Sequence, residues 1–176
     1  MTIRSFAISG QCSSGKSTLS ELLAKKLGWN YVNVGHEFKR IAIEHKVQIE
    51  NFGSIPETIL RAIDLQNKER IKIERNVVWD GRLTCYLART YKDVFKVYCE
   101  TDLQIRAQRT AKRDTISLSK AKRRILARDQ EEKEVYRRLY NISELLDTNW
   151  LNLIIDTSFD SPETLVLKVL EASRAR

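Results

Sequence analysis

Five short apolar runs alternate with longer amphipathic stretches along this chain. The runs at 3–9, 31–34, 77–79, 94–99 and 151–155 are rich in β-branched or aromatic residues. Their nearly continuous apolar character is that of strands covered on both faces. Helical periodicity fills the intervals at 18–27, 37–45, 56–73, 103–113, 117–140 and 162–173. Ser161 before Pro162 reads as a helix start, Pro56 suits a first turn, and Ser54 is a candidate cap nearby. The alternation predicts an α/β fold: a five-stranded parallel sheet with helices on both faces. Ligands in such sheets bind beyond the carboxyl ends of the strands. With two prolines and no Gly/Ser/Pro-rich linker, 176 residues read as one domain, large enough for a substantial core.

Composition narrows the classes. No apolar run approaches the ~20 residues of a membrane span. No basic region leads into a long apolar stretch at the N-terminus, so a cytoplasmic protein without membrane contact is expected. Cys12, Cys85 and Cys99 form no C-x-x-C pair, and His36 and His45 have no metal-site spacing. Reduced, mostly buried thiols are expected. The net charge of +8 is uneven: residues 103–140 hold 12 Lys/Arg against 5 Asp/Glu. Such a block serves nucleic acid, or a flap closing over nucleotide phosphates.

The chemistry concentrates at strand ends. Gly10-Gln11-Cys12-Ser13-Ser14-Gly15-Lys16-Ser17 follows the first strand and, with Thr18, opens the first helix. This is the Walker A phosphate loop. Its glycines let successive N–H groups curl around an anion at a helix N-terminus. In such a loop the residue at Lys16 reaches the β- and γ-phosphates of a nucleotide, and the hydroxyl at Ser17 ligates Mg²⁺. A second strand ends in Asp80-Gly81-Arg82, where Asp80 resembles a carboxylate supporting Mg²⁺ and Arg82 points into the same crevice. Alone, Asp-Gly would be an ordinary turn; beside a phosphate loop it reads as function.

A third strand end carries Gly35-His36-Glu37-Phe38-Lys39-Arg40. Cations there oppose the helix dipole unless an anion is bound, which suggests a second phosphate site; solvated surface charge is the competing explanation. In the basic block, Arg106, Arg109 and Arg113 share one helical face, and Lys120, Arg124 and Arg128 share another. Two arginine faces suit phosphoryl transfer, whose spreading charge needs electrostatic stabilisation. Some of these residues form only surface pairs such as Glu134–Arg138.

The order of these motifs, with Arg128-Asp129 in a charged helix ending Tyr-Asn-Ile, resembles the nucleoside monophosphate kinases. It is most similar to the short, archaeal-type cytidylate kinases. The resemblance implies a P-loop NTPase fold with ATP and Mg²⁺ on Gly10–Thr18, a monophosphate region about 35–75, and a short helical lid about 114–140. It implies that Gly35, Phe38, Lys39, Gly81 and Arg82 meet the nucleoside monophosphate. Arg109 would lie against the ATP, and Arg128 would bridge phosphates on closure. Two positions depart from the family pattern: Lys39 and Val135 stand where arginines are usual. Lys39 keeps the charge without the bidentate fork. The implied activity is phosphorylation of CMP or dCMP. Its rivals are a small-metabolite kinase on the same scaffold, or a weakly catalytic nucleotide-binding protein contacting RNA through the basic lid. RNA is disfavoured by the few aromatics interleaved with that block.

Overall fold

A computed structural model describes residues 2–44, 55–142 and 149–175, with the side chains at 37–39, 41 and 42 left outside. Ser54, the candidate cap, therefore lies outside the described residues. The elements run β1 (Ser5–Gly10), α1 (Lys16–Leu27), β2 (Asn30–Asn33), α2 (Val34–Glu44), α3 (Glu57–Ile73), β3 (Val77–Asp80) and α4 (Thr84–Leu87). Then follow β4 (Val94–Glu100), α5 (Leu103–Asp114), α6 (Leu118–Tyr140), β5 (Leu153–Asp156) and α7 (Pro162–Arg174). All five expected strands form one parallel sheet in the order β2-β3-β1-β4-β5.

Period-two alternation divides the strands between two cores. Phe6, Ile8, Val78, Phe95 and Val97 pack under α1 and α7 with Leu19, Leu23, Val166 and Val169. Ala7, Val77, Trp79, Val94 and Tyr98 face the opposite layer, with Leu60, Ile71, Leu87, Val135 and Leu139 of α3, α4 and α6. Each fully buried aliphatic side chain contributes about 1.5–3 kcal/mol relative to exposure. That double burial explains why the strands read as unbroken apolar runs. Val135 belongs to this core, at 1% exposure.

Helix boundaries follow their caps. Ser161 accepts from the Thr164 amide and Pro162 occupies the first turn of α7. Asp102 caps α5 through the Gln104 and Ile105 amides, and Ser117 caps α6. Pro56 precedes α3 as its N-cap instead of lying in the first turn. α2 starts three residues earlier than its periodicity indicates, because Asn33 Oδ1 accepts from the His36 amide at 2.9 Å. The four-residue α4 is too short for periodicity to reveal. Among the described residues, no helix is long and apolar enough to cross a membrane.

Candidate active site

The loop after β1 takes the shape its glycines permit. Gly15 lies in the left-handed region at φ 80°, which costs a residue with a Cβ. At Gly10 a Cβ would stand 2.6 Å from the Cys99 carbonyl oxygen. Ser13 also has positive φ, 59°, and its hydroxyl lies 2.6 Å from that of Thr110 on α5. Behind the loop, Thr101 and Thr157 both donate to the Ser14 carbonyl, bracing it against the ends of β4 and β5. Ser17 and Thr18 continue into α1.

The β3 end is tied to this loop. Ser9 Oγ donates to the Gly81 carbonyl at 2.9 Å, and the Gly81 amide donates to Ile8 at 3.1 Å. Asp80, 1% exposed, accepts from Tyr31 Oη at 2.9 Å and from Asn33 Nδ2 at 2.8 Å, both on Oδ2. Its Oδ1 is buried with no partner. Burial pushes the Lys16 ammonium pKa down, with Arg82 adding to the effect and Asp80 opposing it. An arriving anion would stabilise that charged form.

Lys16, Ser17, Gly35, Asp80, Gly81, Arg82 and Arg128 all line one cavity of about 200 Å³. Leu60, Ile63, Asp64, Leu83 and Leu139 line it as well. A second cavity of about 330 Å³ opens beside Gly10 and Gln11, and Arg82 lines both. Three arginines are held near the loop by two carboxylates of α6. Glu132 pairs with Arg82 and, at 2.6 Å, with Arg128. Asp129 pairs with Arg106 at 2.6 Å and approaches Arg82 at 3.8 Å. Arg106 also reaches the Cys12 carbonyl at 3.5 Å. Arg109 donates to Thr157 and would lie 3.4 Å from a Cβ on Gly15.

These placements correct the helical-face reading of the basic block. Arg106 and Arg109 turn toward the loop, but Arg113 is exposed and paired with Asp114 at 2.8 Å. Of the second face, only Arg128 lines the cavity; Lys120 is exposed and Arg124 pairs with Asp114 at 3.0 Å. Arg40 is exposed and pairs with Glu44 at 2.6 Å, which favours surface charge over a phosphate contact. Arg138 meets Glu57 of α3. The side chains of Phe38 and Lys39 lie outside the described residues. Cys85 and Cys99 are buried, and burial pushes the Cys85 thiol up to about 12 and Cys99 higher still.

Periodicity could not single out Tyr31, Asn33, Asp129, Glu132 or Asp64 as parts of one site. Tyr31 and Asn33 reach Asp80 through the β2–β3 register, in which Asn33 stands opposite Asp80. Asp64, on α3, accepts from Tyr140 Oη at 2.6 Å, and burial raises its pKa to about 6. The folded state then holds a proton that the unfolded state releases between about pH 4 and pH 6. Stability therefore falls as pH rises through that window and stays low above it. Asp64→Asn removes the desolvated charge and should stabilise the protein at pH 8 by at most about 3 kcal/mol, the equivalent of roughly two pKa units. Urea unfolding at pH 8 and pH 4.5 checks this: the gain should shrink at the lower pH, and no gain at pH 8 would contradict the assignment.

A parallel sheet with a phosphate loop after its central strand and cationic helices above it defines a phosphate-loop kinase. Solved structures share this fold: a shikimate kinase from Acinetobacter baumannii aligns at TM-score 0.66 and 17% identity, covering 99% of this chain and 94% of that one. A gluconokinase from Sinorhizobium meliloti aligns at 0.66 and 13%, covering 98% and 92%. Residues 6–159 match the model of the cytidylate kinase-like family, and the chain belongs to that family. The cytidylate kinase of Pyrococcus abyssi is 35% identical over 159 residues, 89% of this chain and 86% of that protein. That of Methanocella arvoryzae is 34% identical over 154 residues, 86% of each.

Proposed function

We propose that this protein transfers the γ-phosphoryl group of ATP to the phosphate of a nucleoside monophosphate, with CMP and dCMP preferred, giving ADP and the diphosphate. The observation that carries the reading is the single cavity shared by Lys16 and Ser17 of the phosphate loop and by Arg82 and Arg128. Donor and acceptor phosphates meet there.

In this reading Gly10 to Thr18 cradle the ATP phosphates with backbone amides and Lys16 spans the β- and γ-phosphates. Arg109 lies on the donor side. Ser17 and Asp80 would hold Mg²⁺, a hard cation that takes oxygen ligands, and the unpartnered buried Oδ1 of Asp80 fits that use. When bound there, Mg²⁺ would supply positive charge that offsets the charge of the transferring phosphate. Gly35, Phe38, Lys39, Gly81 and Arg82 receive the acceptor, and Arg128 bridges the two phosphates. An acceptor phosphate oxygen attacks the γ-phosphorus as the bond to the β–γ bridging oxygen breaks and ADP leaves. No protein nucleophile intervenes, so catalysis is positioning plus charge. Residues about 35–75 then serve as the monophosphate region, about 114–140 as the lid, and about 1–34, 76–113 and 151–176 as the core. Closure of the lid excludes water and limits hydrolysis of ATP.

Arg82 and Arg128 are both held by Glu132, so an incoming phosphate competes with a carboxylate that is already in place. That exchange keeps the arginines oriented before substrate arrives. ATP and Mg²⁺ with each ribo- and deoxyribonucleoside monophosphate should yield ADP and diphosphate, fastest with CMP or dCMP. No diphosphate from any of them would refute the reading.

A further inference from the structure

We propose that the turn between α5 and α6, with the helix ends on either side of it, is a docking surface for the phosphate backbone of duplex RNA. This goes beyond the kinase reaction and involves the part of the basic block that the phosphate cavity leaves unused.

Residues 112–124 carry six cations, Lys112, Arg113, Lys120, Lys122, Arg123 and Arg124, against one carboxylate, Asp114. All six are exposed. Asp114 is shared: Arg113 meets its Oδ1 at 2.8 Å and Arg124 its Oδ2 at 3.0 Å. Those contacts gather the two helix ends around a single negative charge, which cannot neutralise both guanidiniums. Among the described residues, Lys112, Lys120, Lys122 and Arg123 form no ion pair. They line neither of the cavities beside the phosphate loop.

This arrangement is electrostatically unfavourable in the protein alone. Lys120 and Arg124 stand at i, i+4 on α6, and Lys120 and Arg123 at i, i+3, spacings at which like charges repel. They occupy the opening turns of a 23-residue helix with no acidic residue in its first turn. Cations there also oppose the positive end of the helix dipole. The nearby acids Asp129 and Glu132 are committed to Arg82, Arg106 and Arg128. A polyanion laid across the turn relieves each of these repulsions at once.

The surroundings select which polyanion. Ala121, Ile125, Val135 and Leu139 form the apolar face of α6 and are buried within the protein. The helix therefore has no apolar face to sink into a lipid surface. No Phe, Tyr or Trp occurs between Tyr98 and Tyr136, so nothing there stacks on the bases of a single strand. Contact with phosphates needs neither, because it draws on charge and not on base readout. A-form RNA sets the phosphates of its two strands across a deep, narrow major groove. A compact group of cations can meet both strands there, whereas B-form DNA spreads them across a groove about 12 Å wide.

The test measures binding of the whole chain to a fluorescent RNA duplex of about 20 base pairs by anisotropy, from about 50 to about 200 mM salt. Four unpaired cations on phosphates should weaken binding by about a hundredfold across that range, a log–log slope of about −3 to −4. Lys120→Gln combined with Arg123→Gln should make the slope shallower by about two and weaken binding at least about tenfold at the lower salt. Lys25→Gln combined with Lys26→Gln removes the same charge from exposed positions at the end of α1 and should change affinity by less than about twofold. Thermal melts establish that both variants are folded. Equal losses in the two variants would make the binding an effect of net charge and overturn the proposal. So would the absence of salt-dependent binding in wild type. Tighter binding to a DNA duplex, to a single strand of the same sequence or to phosphatidylserine vesicles would overturn it as well, by assigning the surface to a different partner.

Discussion

Lys16→Ala is expected to lower kcat by at least about a thousandfold while leaving the fold intact. The loss should be large because, in the proposed reaction, Lys16 meets charge that develops in the transition state, and one such group contributes about a hundredfold to a thousandfold even when it is only one donor among several. The fold should survive because burial and the neighbouring Arg82 charge already work against the ammonium in the substrate-free protein. Removing it relieves that conflict. The loop is braced elsewhere, by Thr101 and Thr157 on the Ser14 carbonyl. Steady-state ADP release together with a thermal melt checks both halves. A folded variant keeping a tenth or more of wild-type turnover would overturn the assignment of the phosphate loop.

Arg82→Ala should reduce kcat/KM for the monophosphate by about a thousandfold, with ATP affinity within about twofold of wild type. In the proposed reaction a charge-assisted, bidentate contact to the acceptor phosphate is lost, and nothing on the donor side is. Removing a buried arginine often leaves an uncompensated buried carboxylate, which destabilises by several kcal/mol. Here each carboxylate has a second cation: Glu132 keeps Arg128 and Asp129 keeps Arg106. The loss is therefore one of catalysis more than of folding. Arg82→Lys should recover only part of the activity, because a lysine keeps the charge without the planar fork. Nucleotide titration separates the outcomes; collapse of ATP binding in the alanine variant would show that Arg82 serves the donor.

Family membership and the shared fold support a kinase, and the proposed acceptor half of the site is where the chain has its own character. Val135 stands where the family pattern has an arginine, and it is buried in the core beside α3 and α4. Arg138, three residues on, is committed to Glu57. Neither supplies the missing fork to the cavity. Arg82 and Arg128, set by one shared glutamate, carry the cationic charge of α6 and the β3 end there.

Much of this was legible from local pattern. A phosphate loop is a contiguous device: glycines that allow its curl, a lysine and a hydroxyl lie within eight residues, and the strand and helix on either side are read from periodicity. The five strands were equally legible, because burial on both faces leaves an apolar run at each. Helix starts at Ser161 and Ser117 follow from side chains that satisfy their own neighbours' amides. All of these rest on interactions spanning a few residues.

The partnerships that shape the site span the chain. Tyr31 and Asn33 meet Asp80 because β2 and β3 pair in one particular register, across nearly fifty residues. Arg82 meets Glu132 fifty residues away, and Arg106 meets Asp129 across twenty-three. Helical spacing placed Arg106, Arg109 and Arg113 on one stripe, yet the packing of α5 against the loop admits two of them and leaves the third to Asp114. Spacing states which residues share a face; the docking angle of the helix states how far along that face the site extends. The Walker motif was complete in eight consecutive letters, whereas the lining of the cavity beside it, including Asp64 under Tyr140, exists only where separate helices converge on the sheet.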